Sequence, residues 1–320
     1  MHLSLVIPCY NEAENVSAMH DAVESAFANC GFEYEMVFVD DGSRDGTYAN
    51  LRALHERSRQ NIRLVRFSRN FGKESALFAG LGHAAGEYVT LIDADLQQRP
   101  EVALEMVRFL DAHNEFDCVT AFQAQRREGK LIAFLKRSFY RLMNRVTEIE
   151  FVQGASDFRT MRRCMVDAVL SLAEHNRFSK GIFSWVGFQT HYIPYTAEER
   201  NAGTSKWGTW KLFKYALDGI ISFTTMPLRL TAVLGGGIAL LSLVYMMVVI
   251  IQKLFFEKPP AGYATQVALI LLLGGIQLLC MGILGEYLAK TYVESKRRPI
   301  YIAREVIAPK QRKTKEEGEA

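Results

Sequence analysis

Cysteine is sparse in this 320-residue chain: Cys9, Cys30, Cys118, Cys164 and Cys280 form no close pair and no zinc-like spacing. A disulfide scaffold is excluded, and the pattern suits a reducing compartment. Only 8 prolines and 23 glycines occur, too few for a collagenous chain, and 49% hydrophobic residues against 23% charged exclude intrinsic disorder. A secretory signal is missing as well. Met1-His2-Leu3-Ser4-Leu5-Val6-Ile7 is soon interrupted by Pro8, Asn11, Glu12 and Glu14, so the N-terminal part is expected to stay in the cytoplasm.

The most informative absence is of charge. None falls across residues 230–252, between Arg229 and Lys253, and none across residues 259–285, between Lys258 and Glu286. Each run covers the roughly 20 residues that a helix needs to cross about 30 Å of hydrocarbon. Buried helices of a soluble core are the alternative, but they keep a polar stripe. Leu234 to Ile251 has no such stripe, nor has Val267 to Ile283 apart from Gln277. A two-helix membrane hairpin is expected, and Gly235-Gly236-Gly237 and Gly274-Gly275 suit close helix contact within it or between copies in a homo-oligomer.

Basic residues flank the hairpin at Lys206, Lys211, Lys214 and Arg229 on one side and at Lys290, Lys296, Arg297 and Arg298 on the other, whereas the connecting loop holds only Lys253 and Lys258 with Glu257. The positive-inside rule then puts both ends in the cytoplasm, at the inner membrane. The net charge of +3 is local: from Lys296 onward eight Lys/Arg face four Glu. Residues 293–320 therefore read as a basic cytoplasmic tail, either solvated or drawn to anionic lipid. Nucleic acid is not an expected partner, since the tail lacks interleaved aromatics.

Residues 1–205 alternate two patterns. Leu3 to Ile7, Tyr34 to Asp40, Ile62 to Phe67, Glu87 to Asp93 and Phe116 to Thr120 are short apolar runs ending at polar residues. Between them Glu12 to Ala28, Gly46 to Ser58, Lys73 to Ala84 and Pro100 to Ala112 carry helical spacing. Such a succession predicts an α/β fold with a mostly parallel, Rossmann-like sheet. Ligands of these sheets bind beyond the carboxyl ends of the strands, and the polar motifs fall there.

Pro8-Cys9-Tyr10-Asn11-Glu12 follows the first run and Asp40-Asp41-Gly42-Ser43-Arg44-Asp45-Gly46-Thr47 the second. Carboxylates at strand ends can accept hydrogen bonds from a ribose or a base. Ser43 and Asp45 also fit plain turn and cap chemistry, the favoured role for both. The fourth run ends in Asp93-Ala94-Asp95-Leu96-Gln97. In extended backbone residues i and i+2 face one side, so Asp93 and Asp95 are expected to share a centre with Gln97 next in line. Paired carboxylates repel unless a cation sits between them, and hard oxygen donors with a diphosphate suit Mg2+ or Mn2+.

Together with Arg69-Asn70-Phe71-Gly72-Lys73 and with Leu284-Gly285-Glu286-Tyr287 at the end of the second span, these motifs resemble family 2 glycosyltransferases of the polyprenyl-phosphate group. Dolichol-phosphate mannose synthases and bactoprenol glucosyltransferases belong to that group, and the resemblance covers nearly the whole chain. It implies a GT-A-type catalytic domain over residues 1–205, an amphipathic interfacial helix and connector over 206–228, two transmembrane helices over 229–292, and the tail over 293–320. By position it implies that Pro8, Tyr10, Glu12, Asp41 and Asp93 hold the nucleotide sugar and that Asp95 and Gln97 hold the metal. Asp157, in Ala155-Ser156-Asp157-Phe158-Arg159, matches the catalytic carboxylate, as a base or as a positioning group. Arg200, Ser205 and Lys206 lie in a stretch resembling the loop over the phosphates, while Arg126 and Arg127 are further phosphate candidates or plain surface.

Trp207, Trp210, Phe213, Leu217, Ile220 and Ile221 share one side of a helical spacing with Lys206, Lys211 and Lys214 at its border. That pattern reads as a helix lying in the membrane interface, with a soluble core helix as the alternative. The leading expectation is an inverting enzyme that moves a hexose, glucose from UDP-glucose, onto undecaprenyl phosphate at the cytoplasmic leaflet. Mannose from a GDP donor and aminoarabinose transfer stay open, as does a non-catalytic subunit that binds nucleotide sugar. A processive synthase is disfavoured, because a Gln-x-x-Arg-Trp motif is missing.

Overall fold

A computed structural model describes residues 1–58, 61–123, 141, 144, 154–196, 221, 223–256 and 262–310. The N-terminal half alternates as the sequence pattern requires: β1 Leu3–Cys9, α1 Val16–Phe27, β2 Tyr34–Asp40, α2 Thr47–Arg57, β3 Asn61–Phe67, α3 Lys73–His83, β4 Tyr88–Leu91, α4 Pro100–Ala112 and β5 Cys118–Gln123. Then follow β6 Ala155–Arg162, α5 Arg163–Ser171, α6 Ser179–Trp185 and β7 Thr190–Tyr195. Two long helices, α7 Met226–Phe256 and α8 Tyr263–Ser295, precede a last strand, β8 Ala303–Ile307.

The eight strands form one sheet in the order β7-β5-β6-β4-β1-β2-β3-β8. β1 is parallel to β2 and β4, β2 to β3, and β5 to β7, while β6 and β8 run antiparallel to their neighbours. This is the expected Rossmann-like, GT-A-type sheet. All seven residues of β2 are buried, as continuous apolar strands are when helices cover both faces. Ala103, Met106, Val107 and Leu110 form the buried stripe of α4 behind Pro100 at its first turn, and Val16, Met19, Val23 and Phe27 form that of α1. Each large apolar side chain so buried contributes about 1.5–3 kcal/mol.

Two features depart from the sequence pattern. β4 stops at Leu91, and residues 92–99 turn rather than extend, with Leu96 at φ 61°. The alternation assumed for Asp93 and Asp95 therefore does not apply to them. The tail expected over 293–320 is also corrected in part: Ala303–Ile307 pairs antiparallel with β3 in the register Leu64↔Ile307 to Arg66↔Glu305. Tyr301 stacks on Phe67 with 4.9 Å between centroids, and the Ser68 amide donates to the Ile302 carbonyl at 3.0 Å. β8 thereby takes the edge position from β3, and its shortness and its charged Arg304 and Glu305 are the features by which exposed edges discourage unwanted pairing.

The chain divides into two compact units, Met1–Thr209 with Arg298–Ala320, and Trp210–Arg297. The second holds two spans long and apolar enough to cross a membrane, Met226–Gln252 with mean hydropathy 2.4 and Ala268–Ser295 with 2.3, and neither is buried in the protein. A core-helix reading would need them buried. Within this unit the Tyr287 hydroxyl donates to the Thr224 carbonyl at 2.7 Å. The interfacial helix expected from residue 206 falls almost entirely outside the described residues.

Candidate active site

The loops after β1 and β2 are tied together by short polar side chains. Ser43 Oγ accepts the Asn11 amide at 3.0 Å, Asn11 Oδ1 accepts the Arg44 amide at 3.0 Å, and Thr47 Oγ1 accepts the Glu12 amide at 2.8 Å. Asp45 takes the Thr47 amide at 3.0 Å and the Ala13 amide at 3.3 Å. Asp45 thus makes the local turn bond that its spacing suggests, whereas Ser43 Oγ ties the two loops together and no side chain caps α2. Pro8, Tyr10 and Glu12 lie half-buried along this rim, where Glu12 also accepts the Asn15 side-chain amide at 2.7 Å.

Asp41 is occupied differently from a plain ribose acceptor. Its two oxygens receive the amides of Phe71 at 2.6 Å and Gly72 at 2.9 Å, and it is only 3% exposed. Burial raises its carboxyl to about 6 despite those two amides. Next to it Gly42, at φ 65°, lies so near the Arg69-Asn70 backbone that a Cβ there would fall 2.4 Å from the Arg69 carbonyl carbon. No side chain fits that approach. The Asp41 clasp and the Gly42 contact together fix where α3 begins.

The other corner of the site follows from strand register. β6 pairs antiparallel with β4 from Tyr88↔Arg162 to Leu91↔Arg159, so Asp157, two residues before that pairing on β6, and Asp93, two residues past the end of β4, lie at the same end of the pair. Arg162 pins the far end, donating to the carbonyls of Phe116 at 2.9 Å and Leu110 at 2.6 Å and to the Tyr88 hydroxyl at 3.1 Å. Between the two carboxylates lies Lys73, the first residue of α3. Its Nζ is 2.7 Å from Asp93 Oδ1 and 3.1 Å from Asp157 Oδ2. Asp93 is steadied further by Gln98, which accepts the Asp93 amide at 2.9 Å and donates to its Oδ2 at 3.3 Å.

Charge balance sets the state of these groups. Burial would raise the Asp157 carboxyl, but the Lys73 ammonium, then Lys180 and Arg159, hold it well below the usual carboxylate range. Burial would lower the Lys73 ammonium, yet Asp93 and Asp157 together drive it up. Glu74 is raised by burial and by the Asp157 charge, and its Oε2 accepts both the amide and the hydroxyl of Ser179 at the start of α6. The Lys73 and Asp157 charges are therefore both present at neutral pH.

Asp95 and Gln97 lie half-buried on the turn after β4, where Asp95 Oδ1 accepts the Gln97 amide at 3.2 Å. A carboxylate and an amide oxygen on one turn are hard donors of the kind that Mg2+ or Mn2+ prefers. They do not complete a shell. Among the described residues, the group of three His, Cys, Asp or Glu side chains close enough to share an ion is His20, Asp21 and Glu24 on α1, so an ion at Asp95 needs oxygens from a ligand. Arg126, Arg127, Arg200, Ser205 and Lys206 lie outside the described residues.

Lys73 and Gln98 went unassigned in the sequence reading, since a lysine after Gly and a Gln after a turn are unremarkable by spacing. The only signal was their place in or beside the quoted motifs. Asp157, by contrast, was marked by resemblance and is brought to Asp93 by the fold.

Comparison with known proteins identifies the family. The family described as glycosyl transferase family 2 matches residues 4–170, and a second, the GtrB C-terminal hairpin, matches residues 226–291. A bactoprenol glucosyl transferase from Shigella phage SfV is 42% identical over 303 residues, covering 94% of this chain and 98% of its own. An uncharacterized glycosyltransferase from Synechocystis sp. is 41% identical over 304 residues, covering 94% of each chain. Among solved structures, a mannosyltransferase from Pyrobaculum calidifontis in complex with GDP-Man and Mn2+ aligns with a TM-score of 0.44 and 20% identity, over 60% of this chain and 55% of its own.

Proposed function

The chain belongs to glycosyl transferase family 2, and on that premise we propose that it transfers glucose from UDP-glucose to undecaprenyl phosphate, with inversion, at the cytoplasmic face of the membrane. The observation that carries the reading is the Asp93–Lys73–Asp157 bridge, set in a chain whose relatives named bactoprenol glucosyl transferase match it over nearly all of its length. The rim of Pro8, Tyr10 and Glu12 receives the nucleoside, with Asp41 holding the loop beneath it, and Asp93 faces the sugar. Asp95 and Gln97 would hold Mg2+ or Mn2+, which neutralises charge on the leaving diphosphate.

The residues themselves do two things. Lys73, Lys180 and Arg159 supply positive charge around Asp157, where phosphate oxygens of both substrates meet; preorganised charge of this kind is commonly the largest catalytic contribution. Asp157, kept ionised, acts on the attacking oxygen through the cations held around it. Its depressed basicity is affordable because a phosphate monoester has a second pKa near 6, so at pH 7 the acceptor oxygen is already mostly ionised. Little proton transfer is left for Asp157 to perform.

Membrane attachment fits a lipid acceptor. β8 follows the second span in sequence yet pairs with β3, and a chain that resumes the same folded unit after leaving it needs an even number of crossings. The basic residues on both flanks of the hairpin favour the cytoplasmic side for that unit, with residues 206–228 as an interfacial connector and the basic residues 200 and 206 near the lipid phosphate.

A panel of radiolabelled nucleotide sugars, undecaprenyl phosphate and Mg2+ or Mn2+ tests the reading. One labelled, acid-labile lipid from UDP-glucose, absent with Asp95→Ala, is the expected result. Label from GDP-mannose alone would replace the donor, and no lipid product from any donor would leave a nucleotide-sugar-binding subunit as the better reading.

A further inference from the structure

We propose that Lys73 is a positioning residue that couples the two substrate sides of the site, its ammonium holding Asp93 toward the donor and Asp157 toward the acceptor. The proposal rests on the transferase reading above and deepens it, giving one of the charges in that site a positioning role. Asp157 stands on β6 and Asp93 on the turn just past β4, at the same end of the antiparallel β4–β6 pair. Without a cation between them they would repel and splay. Lys73 is 2.7 Å from one and 3.1 Å from the other, and two of its three N–H donors are thereby used. The third has no partner among the described residues.

Fold stability does not explain such a bridge. The three side chains keep 41%, 31% and 22% of their exposure for Lys73, Asp93 and Asp157, and ion pairs this open contribute about 0–1 kcal/mol. The backbone around Lys73 is instead held with unusual care. The Phe71 and Gly72 amides are clasped by Asp41, Ser75 Oγ donates to the Phe71 carbonyl at 3.2 Å, and Glu74 is bolted to Ser179. An ordinary surface lysine needs none of this. A cation that must reach two carboxylates on separate elements does, because a displacement of about 1 Å at a reacting centre can cost a hundredfold in rate.

The test uses the full-length protein in detergent with UDP-glucose, undecaprenyl phosphate and Mn2+, and the variants Lys73→Met, Lys73→Arg, Asp157→Asn and the double Lys73→Met/Asp157→Asn. Lys73→Met is expected to lower kcat about a hundredfold while KM for the donor changes less than about fivefold. Lys73→Arg should recover at least about tenfold of that loss, and the double variant should be no slower than the slower single one, as expected of residues acting as a unit. If Lys73→Met fails to fold, Lys73→Gln takes its place in the same cycle. A kcat within about threefold of wild type, or losses that multiply in the double variant, overturns the role of Lys73 alone. A wild type that transfers no sugar overturns the transferase reading, and this proposal falls with it.

Discussion

Two corners of the same sheet edge hold carboxylates in opposite ways. At the β2 corner Asp41 gives both oxygens to backbone amides, and burial raises its carboxyl to about 6. At the β4–β6 corner burial pushes Asp157 in the same direction, but Lys73, Lys180 and Arg159 reverse it. Neutral dipoles only partly offset desolvation, whereas a full charge within 3.1 Å more than offsets it. One corner therefore holds a loop in shape, and the other stores charge that a substrate can use.

The sharpest break in this contrast is expected from Asp157→Asn. It should cut lipid-linked sugar formation by about a hundred- to a thousandfold while leaving the thermal midpoint of the soluble unit nearly unchanged, measured by labelled-lipid assay and by unfolding in detergent. A mutation that lowered both equally would erase the distinction between corners. Gly42→Ala should do the reverse, since its Cβ meets the Arg69 backbone at φ 65°. A loss of about 2–4 kcal/mol in unfolding free energy is expected, with activity lost only as the protein unfolds.

The pH response separates the corners by sign. Asp41, raised to about 6, lends stability that is present below about pH 4 and is lost as pH rises through about 6. Asp157, depressed but open to solvent at 22% of its side chain, lends at most about 1 kcal/mol, present above about pH 4 and lost only in stronger acid. Unfolding of wild type should weaken by on the order of 1–3 kcal/mol between about pH 4 and 7 relative to Asp41→Asn; parallel curves for the two proteins would show that Asp41 does not titrate in that window. The smallest effect concerns the strand that follows the hairpin. Glu305 accepts the Tyr48 hydroxyl, and Glu305→Gln should cost about 1 kcal/mol, with no change in donor KM.

Much of the parallel core was legible because each β-strand through β4 is a short apolar run between helical stripes, and β2 and α4 match their expected spans residue for residue. The later strands were not. β6 reads Ala-Ser-Asp-Phe-Arg-Thr-Met-Arg and β8 reads Ala-Arg-Glu-Val-Ile, too polar to announce themselves, and their pairing is a long-range choice that local pattern does not encode. The turn at Asp93 to Gln97 was misread as extended, because a strand's apolar run gives no sign of where the backbone bends. Lys73 carried no signal as a bridge, since its partners are Asp93 and Asp157, distant in sequence.

Composition and periodicity alone determined a charged, alternating α/β half and two uncharged spans, because burial and hydrocarbon thickness act on every residue in turn. Tertiary structure decided the rest: that β6 runs backward and so sets Asp157 against Asp93, that α3 delivers Lys73 between them, and that the chain after the second span returns to close the sheet beside β3. Those outcomes rest on contacts between residues far apart in the chain, whose energies exist only once the strands have chosen their neighbours.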